Sequence, residues 1–139
     1  MRCTLHWGRD NARRISTVAE LEGLLSFLAT IRGRDGAPHA VDLLPAGATE
    51  GGLQLGIGHP RRAFAVWLGG DDTVSGRGSY GIDDDLEAWP EPISFDCGVE
   101  VVDFKPAWTR VTPEQAMRAA REYMLTGTKP TCLRFDANA

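Results

Sequence analysis

Two segments with helical periodicity enclose a long stretch that Gly and Pro divide into short apolar pieces, and this arrangement narrows the possible folds. Such pieces are typical of strands joined by turns. Phe64 and Val66 are predicted to share one strand face and Trp67 to lie on the other. The predicted strands cover residues 2–7, 39–44, 53–57, 63–68, 73–81, 93–95 and 99–104, with a closing strand that reaches residue 133. Because runs of strands favour antiparallel pairing, we predict an α+β fold, a mainly antiparallel sheet with two principal helices packed on one face.

The first predicted helix spans residues 18–32. Thr17 and Glu20 have the spacing of a capping box, in which each side chain satisfies a backbone N–H group of the first turn. Apolar residues then recur at helical spacing, which gives the helix one apolar face. Gly33 and Gly36 are predicted to end it.

The second predicted helix has the clearest boundaries in the sequence. Thr112 is the predicted N-cap, Pro113 occupies the first helical position, and Gln115 completes a capping box. Gly127 suits a left-handed C-terminal cap, and Pro130 cannot continue a helix. The stripe predicted to pack against the rest of the protein consists of Ala116, Ala119, Ala120, Tyr123 and Met124.

The length and composition of the chain indicate a folded protein. A chain of 139 residues, 42% of them hydrophobic, can bury a core of its own, so we expect one domain over residues 1–139. No apolar run is long enough to span a membrane, and the first residues lack the apolar region of a secretory signal. The cysteines are widely spaced, as expected for reduced thiols. These features predict a cytoplasmic protein with no membrane partner.

Patterns that usually mark catalytic or metal sites are absent or incomplete. Cys3 and His6 are spaced like two zinc ligands, but no second pair follows. The run of aspartates at 83–85 lacks the spacing of a calcium-binding loop. No nucleophile elbow or dinucleotide-binding glycine pattern occurs, and the paired motifs of zinc deaminases, H-x-E and P-C-x-x-C, are missing. We therefore predict no catalytic residues, no cofactor, no metal site and no enzymatic activity.

Acidic residues are concentrated in one segment of the chain. Residues 71–103 contain ten acidic residues and one basic residue, Arg77, which is a net charge of −9. The rest of the chain contains 14 basic and nine acidic residues, which is a net charge of +5. A nucleic-acid-binding surface requires the opposite sign, so we predict no nucleic-acid partner. The segment suits a basic protein partner; the alternative is a solvated acidic face that only increases solubility.

Aromatic residues are interspersed with these acids. Tyr80 and Trp89 lie within the acidic segment, and Trp89 stands beside a loop proline. Large aromatic anchors surrounded by charges are common in protein–protein interfaces, whereas local packing of the loop is the alternative. The predicted partner-binding residues are Asp71, Asp72, Tyr80, Asp83, Asp84, Asp85, Glu87, Trp89, Asp96, Glu100 and Asp103.

Three parts of the sequence carry a family resemblance: the glycine-rich residues 51–58, Phe64-Ala65-Val66-Trp67 and, above all, residues 99–133. They resemble the immunity proteins of bacterial polymorphic toxin systems, in particular the family numbered first in that series. The resemblance extends over residues 15–136, but the closing strand is followed here by Arg134-Phe135-Asp136 instead of Trp and acids. It implies a cytoplasmic, single-domain α+β protein that is made beside a toxin and binds the toxin's catalytic domain. The partner of such proteins is often a nucleic-acid deaminase or another nucleic-acid-targeting toxin, and the family has no catalytic residues to carry over.

Charge and resemblance together favour one function. A toxin that acts on nucleic acid needs a positive groove, and an acidic face can occupy that groove by mimicking phosphate charge. We predict an antitoxin that binds a deaminase-like toxin and covers its basic active-site groove with the acidic face. One alternative is a general acidic protein-interaction domain with no toxin partner. Another is an enzyme of small-molecule metabolism, which the missing catalytic motifs disfavour.

Overall fold

Short strands form two antiparallel sheets in the computed structural model of the chain, which describes residues 1–49, 51–69 and 78–139. The larger sheet has seven strands in the order β2-β1-β3-β4-β5-β6-β9, and each neighbouring pair is antiparallel. The smaller sheet is the hairpin β7–β8. The strands are β1 (Cys3–Trp7), β2 (Asn11–Ile15), β3 (Ala40–Pro45), β4 (Leu53–Gly56), β5 (Phe64–Trp67), β6 (Ser79–Ile82), β7 (Ile93–Asp96), β8 (Val101–Phe104) and β9 (Arg134–Asp136).

Two helices, α1 (Val18–Leu28) and α2 (Pro113–Thr126), pack together on one face of the seven-stranded sheet. Their buried residues join one core cluster with residues of strands β1 to β5. Burial of apolar surface in such a cluster is the main favourable term in folding. The predicted α+β fold, a mainly antiparallel sheet with both helices on one face, is confirmed.

Strand β5 shows how the opposite face of the sheet is covered. Trp67 packs with the helix layer, whereas Phe64 and Val66 pack with Phe95 and Phe104 of hairpin β7–β8. Successive side chains of a strand point to opposite faces, so the hairpin lies across the sheet from the helices. The prediction that Trp67 faces away from Phe64 and Val66 is confirmed. The protein therefore has three layers: helices, sheet and hairpin.

Helix α1 ends four residues earlier than the sequence predicts. The amide and the hydroxyl group of Thr30 both donate to the carbonyl of Phe27, three residues back. Bonds between residues three apart tighten the last turn and end a helix, so the predicted end at Gly33 is wrong. Gly33 has another role: a Cβ atom at this position would collide with the carboxylate of Asp96.

Helix α2 begins and ends as the sequence predicts. Thr112 Oγ1 accepts a hydrogen bond from the amide of Gln115, and Gln115 Oε1 accepts one from the amide of Thr112. Pro113 is the first helical residue, and Gly127 follows the helix in the left-handed conformation, with φ of 72°. Every residue of the predicted apolar stripe is buried.

The two edges of the sheet differ from the prediction. Strand β2 is not among the predicted strands, because four of its five residues are exposed and its sequence does not alternate. At the other edge, the closing strand is predicted to reach residue 133, whereas β9 begins only at Arg134. Thr131 does not belong to a strand because its amide and hydroxyl groups donate to the Glu122 carboxylate of α2.

Some predictions fall on residues that the structure does not describe. The predicted strand at 73–81 is described only from residue 78, where Ser79–Ile82 forms β6. Among the described helices, none has the length and apolar character needed to cross a membrane.

Candidate functional site

An acidic loop, residues 83–87, follows β6 and is fastened to the segment around the start of α2. The Asp83 amide donates to the Arg110 carbonyl at 2.9 Å, and Gln115 Nε2 donates to Asp83 Oδ2 at 2.7 Å. Gln115 is also the capping-box residue of α2, so one side chain both caps the helix and holds the loop. This hydrogen bond from Gln115, followed by one from the Asp85 amide, holds the pKa of Asp83 below its usual range.

Two arginines hold the same loop from other directions. Arg110 Nε donates to the Leu86 carbonyl at 2.9 Å. Arg134, in β9, makes a bidentate contact with Asp84, whose carboxylate oxygens lie 2.9 Å from Nε and 2.7 Å from Nη2. The hydrogen bonds from Arg134 lower the pKa of Asp84. Two of the three adjacent aspartates therefore have partners inside the protein, and the loop is tied to both α2 and β9.

Asp85 and Glu87 carry the two charges of the acidic loop that have no ion-pair partner among the described residues. Both residues are exposed. Neither side chain forms a hydrogen bond or ion pair with any residue in the described part of the chain. Their carboxylates are consequently open to an external partner, on a backbone that the neighbouring contacts keep in place.

Trp89 packs inward and is half-buried. The Arg62 guanidinium carbon lies 5.0 Å from the centre of the Trp89 ring, and the His59 ring meets it edge-on at 5.4 Å. Arg62 is itself buried, with 8% of its surface exposed. Burial and the nearby charge of Arg110 lower the pKa of Arg62, and the charge of Glu87 opposes that shift. Trp89 therefore covers a buried cation and keeps only part of its surface open.

Tyr80 also packs within the protein. Its ring stacks on that of Trp108, with centres 5.0 Å apart and planes 6° apart. Burial, with a smaller effect of Cys97, raises the pKa of Tyr80 to about 12. On the same tryptophan, Lys105 Nζ lies 4.8 Å from the ring, and Trp108 Nε1 donates to the Ala139 carbonyl at 3.0 Å. This aromatic pair joins β6 to the last residues of the chain.

Asp96 is buried at the end of β7, with 4% of its surface exposed. Its carboxylate oxygens accept hydrogen bonds from the amides of Arg34, at 2.9 Å, and Gly98, at 2.8 Å. Burial alone would raise the pKa of Asp96, but these two amides, with His39 and the Arg34 side chain nearby, hold it below its usual range. Asp96 thus fixes the hairpin turn to the segment that follows α1.

Replacing Asp96 with Asn should lower the free energy of unfolding at neutral pH by about 1–3 kcal/mol, because one of the two amides loses its acceptor. An ionised carboxyl with a lowered folded-state pKa stabilises the protein above its unfolded-state pKa of about 3.9. That stability is lost as the pH falls through the folded-state value. Urea unfolding from neutral pH down to about pH 3 should therefore show the difference between wild type and variant shrinking below about pH 4.

Asp10→Asn, at an exposed acid in the turn before β2, is the control and should change stability little at any pH. A variant at Asp96 as stable as the wild type at neutral pH would contradict the structural role of this carboxylate.

The other predicted residues occupy separate places. Glu100 and Asp103 are exposed on hairpin β7–β8, where Asp103 accepts a hydrogen bond from Ser94 Oγ. Asp71 and Asp72 lie outside the described residues. The structure brings one group of predicted residues together in the acidic loop: Asp83, Asp84, Asp85 and Glu87.

The sequence has no local signal for the residues that hold the acidic loop. Arg110 and Arg134 are 24 and 50 residues from the partners they contact, Leu86 and Asp84. The capping box identifies Gln115 as a capping residue, but it does not indicate that the same side chain also donates to Asp83. These contacts with the loop therefore depend on the fold and not on any local pattern.

The described residues offer little for catalysis or metal binding. Burial raises the pKa of the thiols of Cys3, Cys97 and Cys132, that of Cys97 to about 11, which keeps them protonated and weakly nucleophilic at neutral pH. Within residues 1–49, 51–69 and 78–139, no group of three or more His, Cys, Asp or Glu is placed to hold a metal ion.

The model of the Imm1 immunity protein family matches residues 9–137. The chain belongs to this family. No curated protein matches the chain.

Membership of the Imm1 family confirms the resemblance seen in the sequence and supports an immunity, or antitoxin, role. It also implies a cognate toxin as the partner, and an immunity protein family is not normally catalytic. The range that matches the Imm1 model includes both helices, hairpin β7–β8 and the acidic loop.

Proposed function

We propose that this Imm1 protein neutralises a cognate toxin by binding its catalytic domain, with the acidic loop docked over the basic active-site groove. The proposed toxin is a nucleic-acid-targeting, deaminase-like enzyme, because such an enzyme must attract phosphate groups and therefore carries positive charge around its active site. One observation carries the proposal. The acidic loop presents two exposed carboxylates, Asp85 and Glu87, that have no hydrogen-bond or ion-pair partner among the described residues.

The internal contacts of the loop favour fast binding. Gln115 and Arg134 hold the carboxylates of Asp83 and Asp84, so the loop is ordered before the toxin arrives. A loop that is already ordered loses less conformational entropy when it binds. Charge gathered at one site also accelerates the encounter with an oppositely charged partner, by about 10- to 1,000-fold, and salt weakens this effect.

The other predicted residues have supporting roles in this proposal. Glu100 and Asp103, like Asp71 and Asp72 in the sequence, contribute to the negative charge that attracts a basic partner. Trp89 contributes the exposed part of its ring. Asp96 and Tyr80 act by holding the hairpin and the end of the chain, and not by contact with the toxin: Asp96 is buried, and Tyr80 is half-buried under Trp108. The protein acts as one cytoplasmic domain, by binding alone, with no nucleic-acid or membrane partner.

Co-expression tests this function directly. We expect this protein to rescue a host that produces the toxin encoded beside its gene, and to co-elute with the toxin's catalytic domain as a stable complex. The purified complex should lack the toxin's activity on nucleic acid. A toxin of an unrelated family, produced in the same host, is the control and should still kill. Failure to rescue would leave the general acidic protein-interaction domain as the better description.

A further inference from the structure

Strand β2 forms one edge of the seven-stranded sheet and pairs only with β1 among the described residues. Four of its five residues are exposed. A free strand edge presents unpaired N–H and C=O groups at regular spacing, and another extended chain can pair with them. The backbone of β2 therefore provides a place for one further strand.

The surfaces beside β2 are basic on both faces and partly apolar on one. Ile15 is buried in the core beneath the helices, so Arg13, two residues away, shares that face and Arg14 points the other way. On the helix side, Arg13, Phe27 and one acid, Glu20, line a groove of about 240 Å³, and Phe27 is 58% exposed. Arg2 and Arg14 border a second depression of about 330 Å³ at the end of the strand.

Charge distinguishes between the possible occupants of this edge. Residues 1–15 contain four arginines and one aspartate, a net charge of +3 in a chain whose net charge is −4. A second copy paired through β2 would bring the arginines at 13 and 14 close to those of the first, and like charges across strands are destabilising. An extended segment with acidic and apolar residues would meet opposite charge on both faces and a groove for an apolar side chain.

We infer that β2 is a second docking surface, to which an extended acidic segment of the toxin adds as an eighth strand. This inference rests on the proposed function, since it takes the toxin as the partner. The acidic loop is tied to β9, at the opposite edge, six strand spacings or about 29 Å away along the sheet. An extended segment covers that distance with about nine residues. The acidic loop and the basic β2 edge would together fix the orientation in which the toxin binds. A toxin that matched only one of these surfaces would bind more weakly.

The test compares two variants with the same change in net charge. Arg13→Glu/Arg14→Glu reverses the charge of the edge, and Arg61→Glu/Arg118→Glu reverses two exposed arginines elsewhere. The probe is the inactivated cognate toxin with the segments that flank its catalytic domain. We expect the edge variant to bind about tenfold more weakly or worse, and the control to bind within about twofold of the wild type. All four residues are exposed, so both variants should unfold thermally near the wild-type midpoint.

Hydrogen exchange provides the second measurement, because strand addition protects backbone amides whereas a contact through charge alone does not. In the wild-type complex, the β2 amides that point away from β1 should exchange more slowly than in the free protein. Without this protection, strand addition is overturned and the acidic loop stands as the docking surface. If the β2 amides are protected but the edge variant binds as tightly as the wild type, a segment adds to β2 but is not acidic. A wild-type protein that binds no toxin would overturn both this inference and the proposed function.

Discussion

Replacing Phe95 with Ala is expected to lower the free energy of unfolding by about 3–5 kcal/mol. Phe95 is fully buried between the hairpin and the sheet. Its ring meets Phe64 of β5 edge-on at 5.0 Å and Phe104 of β8 edge-on at 5.4 Å. Phe64 and Phe104 are themselves stacked at 4.1 Å, so neither ring can move into the space that Ala would leave without losing that contact. The cost is therefore that of the lost burial and of an unfilled cavity.

Urea unfolding measures this cost, with tryptophan fluorescence as the signal. Val99→Ala is the control, because Val99 is an apolar residue of the same hairpin region with 81% exposure, and its change should stay within about 0.5 kcal/mol. A cost below about 1 kcal/mol for Phe95→Ala would mean that the hairpin does not share a core with the sheet. Glu100 and Asp103 would then not be held in a fixed position relative to the rest of the protein.

Reversing the two exposed charges of the acidic loop that have no partner in the described part of the chain, with Asp85→Lys/Glu87→Lys, is expected to reduce the association rate with the toxin by about 10- to 1,000-fold at low salt. Repulsion from the basic groove replaces attraction, while the contacts that hold the loop are untouched. Stopped-flow measurements at increasing ionic strength should show the difference between wild type and variant shrinking, because salt screens exposed charges. Both side chains are exposed, and the one internal effect that changes is the attraction of Glu87 for the buried Arg62, so the free energy of unfolding should fall by no more than about 1 kcal/mol.

Asp10→Lys provides a matched control for the single variant Asp85→Lys, because both change the net charge equally. Asp10 is exposed in the turn before β2, at the far edge of the sheet from the acidic loop, where added positive charge should not lower the association rate of the variant. Asp83 and Asp84 are less suitable for this comparison, because replacing them also removes the contacts with Gln115 and Arg134. An unchanged association rate for the double variant would exclude the acidic loop as the docking surface and leave the immunity role intact.

Elements with local signals could be predicted from the sequence. The start of α2 follows from its capping box and proline, its end follows from Gly127, and the two faces of β5 follow from alternation. The strand character of β2 and the end of α1 could not be predicted. Four exposed residues become a strand only through pairing with β1, and Thr30 closes α1 through a bond that helical spacing does not show.

The candidate site could be predicted in composition but not in arrangement. The concentration of acids in residues 71–103 is visible in the sequence, and the structure gathers part of it into the acidic loop. Which carboxylates of the loop have internal partners depends on Arg134 and Gln115. Asp96 is held by a contact with Arg34, 62 residues earlier in the chain. The fold alone sets such distant partners. Composition therefore gives all these acids the same predicted role, whereas the structure exposes Asp85 and buries Asp96.

The supports of the acidic loop have a consequence for the timing of synthesis. Arg110, Gln115 and Arg134 all follow the loop in the chain, so a ribosome makes the loop before any of them. Arg134 is 50 residues after Asp84, which at about 5–20 residues per second is a delay of about 2.5–10 s. During that interval the nascent chain carries the charges of the loop without the bonds that shape it. The capacity to neutralise a toxin should therefore appear abruptly, when the last strand has been made, and not in proportion to the length synthesised.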